Sequence, residues 1–253
     1  MSILHMLTIG LCLASTSSIL AKPVTQKEGR IEINWSTMKL RFYGEVMPGS
    51  TSGVDYNALE KKAWTDGIFT MVRQLPEYRM RNDFYRLENE PELAKEAAQR
   101  VARTTYSVNT EYSSDGNMRI HMENSLARAL DPGEMEFDRE EISNSENYNT
   151  SLVFEIEGSP SPTPIYEIVD ENGDAVFRVT DVARKAFEKR LMGRWLARPG
   201  KAEIVKLGGK NPVSVKLTHE FGTKFIVDRE QWDSATDGNQ GLLEAANIIL
   251  VLK

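Results

Sequence analysis

From Ile31 to Phe42, apolar side chains fall at every second position: at 31, 33 and 35, then at 38, 40 and 42. Period-two alternation is the mark of a strand with one buried face. A two-residue link at Ser36-Thr37 sets Trp35 opposite Met38, Ile33 opposite Leu40 and Ile31 opposite Phe42. Those six apolar side chains then share one face and stabilise the ribbon in cross-strand pairs. Glu32, Asn34, Lys39, Arg41 and Tyr43 take the other face. Ser-Thr is a poor match to the Asn-Gly type of tight turn, which leaves room for a longer link. Trp35 reads as core, against the alternative of a ligand-stacking residue, because apolar alternation marks a half-buried strand.

The period then changes. Asp55 is placed to cap a helix. Tyr56, Leu59, Ala63, Trp64, Gly67, Ile68, Met71, Val72 and Leu75 recur at three- and four-residue spacing, until Pro76 stops or kinks the pattern. A second helix is predicted over Pro91 to Arg103. Alternation returns at Tyr106, Val108, Thr110 and Tyr112, turns at "SSDG", and resumes at Met118, Ile120 and Met122. Leu152, Phe154 and Ile156 predict a strand, and "GSPSPTP" a stiff linker or surface loop. "PIYEIVDENGDAVF" predicts a hairpin with its turn at Asn172-Gly173. Thr180 is placed to cap a helix with Val182, Ala183, Ala186, Phe187, Leu191 and Trp195 as its stripe. "AEIVKL", "VSVKL" and "KFIVD" read as short strands, "GLLEAA" as a helix, and the continuous apolar run "IILVL" as a buried strand.

These elements predict an α+β fold of antiparallel β-hairpins with packed helices, in two lobes joined by an acidic and Pro/Ser-rich segment. The expected division is a signal peptide at 1–21 and an N-terminal α+β lobe at 29–130. An acidic insert, a strand and a linker follow at 131–164, then a C-terminal α+β lobe at 165–253. Residues 3–14, "ILHMLTIGLCLA", are apolar apart from His5 and Thr8, and "SILA" precedes Lys22. That resembles a secretory signal cut after Ala21, although the start carries no Lys or Arg. The run is too short for an ordinary membrane span, and no transmembrane segment is expected in the mature chain. The single cysteine, Cys12, lies inside this segment behind Leu11, so a lipoprotein attachment site is not expected. Removing the segment leaves no disulfide, thiol nucleophile or Cys-ligated zinc.

Charge is concentrated in two blocks. Residues 131–150 hold seven acids (Asp131, Glu134, Glu136, Asp138, Glu140, Glu141, Glu146) against Arg139, a net of −6 that equals the net charge of the whole chain. Between 184 and 201, seven bases face Glu188: Arg184, Lys185, Lys189, Arg190, Arg194, Arg198 and Lys201. They read as a basic amphipathic helix and its tail, a candidate partner-binding surface, against the plainer reading of a solvated helix face. The two blocks are expected to be electrostatic complements, within one molecule or between copies.

Candidate chemistry is sparse. P-loop, Rossmann, nucleophile-elbow and HExxH patterns are absent from the sequence. Gly208-Gly209-Lys210 reads as a turn rather than a phosphate loop. "DENGD" at 170–174 reads as a hairpin turn rather than a calcium loop. His121 is expected on the solvent side of its strand, and His219 is the other histidine beyond the N-terminal segment. Glu155 and Glu157 share a strand face, and paired carboxylates can hydrolyse glycosides, yet two exposed glutamates are commonplace. No catalytic, cofactor or metal residue is assigned, and no cofactor is expected.

"GRIEINW", Tyr43-Gly44 and "YNALEKKAWTDGI", with "PIYEIVDENGDAVF", "NPVSVKL", "FIVDREQWDSA" and "LLEAANIILVL", resemble the LPP-type lipoprotein and FlgT-like proteins of bacterial envelopes. The resemblance covers most of residues 29–253. It implies an exported, non-enzymatic structural or assembly protein of the periplasm or cell surface, in some relatives linked to the flagellum or motility. The implied partners are other envelope or flagellar proteins, or a second copy. Two alternatives from other classes are a secreted carbohydrate-active hydrolase using Glu155, Glu157 or acids of the insert, and a nucleic-acid binder using the helix at 184–201.

Overall fold

The computed structural model describes residues 22–47, 55–74, 91–130, 135–143 and 146–253. The expected signal segment 1–21, Leu75 and Pro76 lie outside the described residues. A five-stranded antiparallel sheet has the order β2-β3-β4-β6-β5, from Thr25–Glu28, Ile31–Asn34, Lys39–Val46, Tyr106–Tyr112 (β5) and Met118–Ser125 (β6). Its central hairpin has the register set by the alternation, Ile31 opposite Phe42 and Ile33 opposite Leu40. Met38 takes a positive φ of 58° in the link, and all six apolar side chains of the hairpin are buried.

Helix α1 (Tyr56–Gln74) covers that face. Asp55 accepts from the amides of Asn57 at 3.0 Å and Ala58 at 3.2 Å, as an N-cap does. Leu59, Ala63, Gly67, Ile68, Met71 and Val72 are buried, while Tyr56 is exposed. Helix and strand approach closely at Gly44 and Gly67. A Cβ on Gly44 would lie 1.8 Å from the Ala63 carbonyl oxygen, so only glycine permits this spacing. Helix α2 (Pro91–Thr104) buries Ala97, Ala98 and Val101, and a single turn of helix, α3 (Leu126–Ala129), follows β6.

One expectation fails at β5. Tyr106, Val108, Thr110 and Tyr112 do not share a face, because the register shifts between Ser107 and Asn109. The extra residue reverses the alternation. Tyr112 pairs with buried Met118, whereas Tyr106 pairs with Glu123 on the polar face.

The second sheet has eight strands in the order β1-β10-β13-β7-β11-β12-β8-β9. They are Lys22–Pro23, Arg194–Ala197, Ile248–Leu252, Ser151–Glu157, Pro212–Phe221, Lys224–Ile226, Glu167–Val169 and Ala175–Phe177. β10, β13, β7 and β11 run parallel. A parallel centre is covered on both faces and therefore reads as continuous apolar runs, which "LVF" and "IILV" are. The class is α+β with antiparallel hairpins, and this parallel centre adds to what the hairpin pattern predicted.

The hairpin at "DENGD" forms as expected. Gly173 has φ 86°, and the Asp170 carboxylate accepts from the amides of Asn172 and Asp174 at 2.9 and 3.0 Å.

Two elements differ from the sequence expectation. The helix expected from Thr180 to Trp195 is short, α4 at Arg184–Arg190, with Leu191 at φ 55° and Gly193 at φ 129° breaking it. Trp195 belongs to β10. "AEIVKL" is not a strand but helix α5 (Lys201–Gly208), opened after Pro199-Gly200 and closed by Gly209 at φ 88°. Its Ile204 packs on Val153, Leu196, Ile249 and Val251, a small cluster on the outer face of the sheet. Helices α6 (Arg229–Thr236) and α7 (Gln240–Glu244) follow, the second where "GLLEAA" predicts one.

The sheets draw on opposite sides of residues 131–150, except for β1, which pairs with β10 before the chain enters the first sheet. They join through one continuous core. At the junction the Ser36 hydroxyl donates to the Trp195 carbonyl at 2.7 Å and accepts from the Val24 amide at 2.9 Å.

Candidate functional site

The seven basic residues of 184–201 are distributed over three elements. Arg184, Lys185, Lys189 and Arg190 lie on α4, Arg194 starts β10, Arg198 lies in the turn after it, and Lys201 starts α5. The expected single basic helix is therefore divided by the turn at Leu191–Gly193.

The first turn of α4 is where the two charge blocks meet. Ala183 stands at the N-cap position and has no side chain to satisfy the first amides of the helix. The acidic segment supplies carbonyls instead. Arg184 and Lys185 donate their amides to the carbonyls of Arg139 and Glu140, at 3.1 and 3.2 Å. Thr180, the expected cap, instead accepts the Asp138 amide with its backbone carbonyl at 3.1 Å. Phe137 packs on Phe187 with ring centroids 5.4 Å apart, and the Arg184 guanidinium lies 5.0 Å from the Phe137 ring centre. Arg184 pairs with Glu140 at 3.1 Å, and Lys185 pairs with Glu141. On the other side Arg139 pairs with Glu244, whose second oxygen accepts from the Ser143 amide at 2.9 Å. Burial pushes the Glu244 carboxyl up, but Ser143 and Arg139 outweigh it and hold the group below the ordinary glutamate value. The expected complementarity is thus found within one molecule. It rests on Arg184 and Lys185 rather than on Arg190, Arg194 or Arg198. The carbonyl caps and aromatic contact place the segment, since exposed ion pairs contribute only about 0–1 kcal/mol each.

The remaining five bases have a different setting. Among the described residues, Lys189, Arg190, Arg194, Arg198 and Lys201 have no carboxylate within ion-pair distance. Arg190 donates to the Asn247 side-chain carbonyl. Arg194 is half-buried, and burial, then the like charge of Arg190, pushes its guanidinium below the ordinary arginine value. Both arginines line a cleft of about 330 Å³ with Thr150, Ser151, Gly208, Gly209 and Asn247. Ser151 was not anticipated, and no local spacing in the sequence marks it; Gly208 and Gly209 were read as a turn and not as part of a site.

The other candidates have structural surroundings. Trp35 is buried in the core, and its indole N–H donates to Gln26 at 3.3 Å. His121 lies on the polar sheet face, beside Tyr43 with ring centroids 5.8 Å apart and 3.1 Å from Glu111. His219 lies against Phe225 and within 3.1 Å of the Gly222 carbonyl. Glu155 pairs with Lys253 at 2.9 Å. Gly208-Gly209 is the closing turn of α5. The described residues contain no group of three His, Cys, Asp or Glu side chains placed to hold a metal, and no helix long and apolar enough to cross a membrane. No protein-family profile matches the chain, and no curated protein sequence matches it.

One charged cluster escaped the sequence reading because its members come from different strands. Glu123 is buried beneath Lys39, Arg41 and Tyr106 on the polar sheet face, with Arg41 Nε at 3.0 Å. Burial pushes its carboxyl up, and hydrogen bonds from Lys39, Tyr106 and Arg41 outweigh that and bring it down to about 2. A carboxyl lowered on folding stabilises the protein at pH above its unfolded value of 4.5, and loses that contribution as pH falls through about 2. Glu123→Gln is expected to flatten acid unfolding across this window and to lower stability at pH 7. Urea titrations of both proteins from pH 7 to pH 2 check this; parallel curves would remove Glu123 from the acid response.

Proposed function

We propose that the chain is an exported, non-enzymatic structural or assembly protein of a bacterial envelope, working in the periplasm or at the cell surface beside flagellar or motility components. The observation that carries the reading is the division of its charges. Groups that the sequence offered for chemistry are engaged in fastening the fold, as Glu155 is to Lys253 and the acidic segment is to α4. Lys189, Arg198 and Lys201 remain without a carboxylate partner among the described residues. They suit the acidic surface of another envelope or flagellar protein, or of a second copy; nucleic acid is not the proposed partner. Complementary charge of this kind governs encounter and register more than affinity. The apolar segment before Lys22 supports export.

Fractionation of the native cells, with mass spectrometry of the chain's N-terminus, tests the compartment. Lys22 or a close neighbour is expected as the first residue, in the envelope fraction. Intact Met1 on a cytoplasmic protein would overturn the reading. Light scattering of the purified chain tests the surface against a second copy or an acidic envelope protein. Association is expected to weaken between low and physiological salt, where the Debye length falls to about 8 Å, and to vanish with Lys189, Arg198 and Lys201 changed together to Glu. Association that this triple variant keeps would place the contact elsewhere.

A further inference from the structure

We infer that the cleft between α4, α5 and the starts of β7, β10 and β13 is a binding site for a phosphate-class oxyanion, held by Arg190, Arg194 and Ser151. Three independent features of its wall converge on one ligand chemistry. The first is charge. Arg194 is half-buried with no carboxylate partner among the described residues, and Arg190 stands beside it with only the neutral Asn247 amide as acceptor. Two neighbouring cations, one partly removed from water, are held at a cost that a bound anion relieves. The guanidinium fork suits the oxygens of a phosphate, and no carboxylate lines the cleft to favour a cation instead.

The second feature is a hydroxyl. Ser151 is 2% exposed, and among the described residues its Oγ has no hydrogen-bond partner. Buried hydroxyls are rarely left unpaired, because the desolvated group then lacks compensation. Serine can donate to an oxyanion oxygen without a change of charge.

The third feature is the close fit of the glycine turn on the wall. A Cβ on Gly208 would lie 2.3 Å from Ser151 Oγ, and one on Gly209 would lie 2.6 Å from Thr150 Cβ. Side chains there would crowd the wall that carries the hydroxyl. The volume of about 330 Å³ lies at the lower end of the roughly 300–1,000 Å³ range of small-ligand sites.

The site lies where the parallel strands begin, opposite the carboxyl ends at which open α/β sheets usually bind ligands. It therefore carries none of the glycine-rich loop signatures of that end. The C-termini of α4 and α5 reach the same region, and their carbonyl dipoles favour cations too. That effect would hold the arginines without a ligand, but it makes no use of the Ser151 hydroxyl.

Calorimetry of the intact chain with inorganic phosphate, at ionic strength fixed with chloride, tests the site. Saturable binding is expected. Loss of a charged donor in Arg194→Gln or Arg190→Gln should weaken it about tenfold or more, and Ser151→Ala about fivefold. Lys189→Gln should leave it unchanged, which separates this site from the association surface. Arg190 is exposed, so Arg190→Gln is expected to fold even where Arg194→Gln does not. Flotation with phosphatidylglycerol vesicles, against phosphatidylcholine vesicles, identifies the source. Phosphatidylglycerol binding that phosphate competes away assigns the group to a lipid headgroup; phosphate binding without flotation assigns it to a soluble ligand. The inference is overturned if the intact chain binds neither phosphate nor phosphatidylglycerol. It is equally overturned if folded Arg190→Gln and Ser151→Ala bind as the parent does, leaving the arginines as partners of helix ends alone.

Discussion

Trp35→Ala is expected to lower folding stability by about 3–5 kcal/mol, the usual cost of removing a buried aromatic side chain. Trp35 is fully buried at the end of the central hairpin. Its carbonyl accepts the Trp195 amide at 3.4 Å, and the next residue, Ser36, donates to the Trp195 carbonyl. The side chain therefore lies where the two sheets meet, and a cavity there opens beneath both. The cost includes lost transfer energy and a void that neither sheet can close without moving against the other. Urea unfolding followed by circular dichroism measures it, and the transition should shift as a whole rather than split. A variant that keeps its midpoint while losing a ligand would instead make Trp35 a pocket residue.

The second large effect is expected at Gly44. Adding a methyl group to a packed interface typically costs about 1–3 kcal/mol, occasionally more. Gly44→Ala should reach the upper end of that range, because the new Cβ meets backbone: the Ala63 carbonyl oxygen at 1.8 Å and the Gly67 amide nitrogen at 2.5 Å. Backbone of a helix cannot turn aside as a side chain can, so α1 must lift from β4. Gly67→Ala is the control. Its Cβ would meet the Met122 methyl at 2.0 Å, the far end of a flexible side chain, although Gly44 N lies at 2.8 Å. Alanine also gains about 1 kcal/mol over glycine in a helix interior. Gly67→Ala should therefore melt above Gly44→Ala, and the reverse order would refute this account of the contact.

What the sequence made legible followed from how local the cause was. The hairpin at 31–42 was legible because each strand alternates strictly and one face is wholly apolar. Asp55 and the stripe of α1 were legible because cap and period lie within the helix itself. "AEIVKL" misled because Ile204 and Val205 suit a strand, while the glycines at 200 and 209 that bound the helix lie outside the run. The stripe from Val182 to Trp195 misled differently. Leu191 and Trp195 are buried, but on either side of a chain reversal that burial alone does not reveal. The charge blocks were visible, and their register was not, since carbonyls of Arg139 and Glu140 set it. The cleft was the least visible. It gathers Ser151, Arg190, Arg194, Gly208 and Asn247 from separate segments, and an unpartnered hydroxyl leaves no trace in residue order.

The strand order of the larger sheet also bears on time. Lys22 pairs with Ala197, and β7 gains one of its two neighbours only when Ile248–Leu252 is laid beside it. Contacts so distant along the chain must meet the entropy of closing long loops before they return any stabilisation, and topologies of this kind fold slowly. During synthesis β1 emerges long before β10, and β7 lacks one neighbour until Ile248–Leu252 has been made. The larger sheet of a nascent chain therefore stays incomplete until β13 is made, while the antiparallel sheet formed from residues 25–125 can pair well before it.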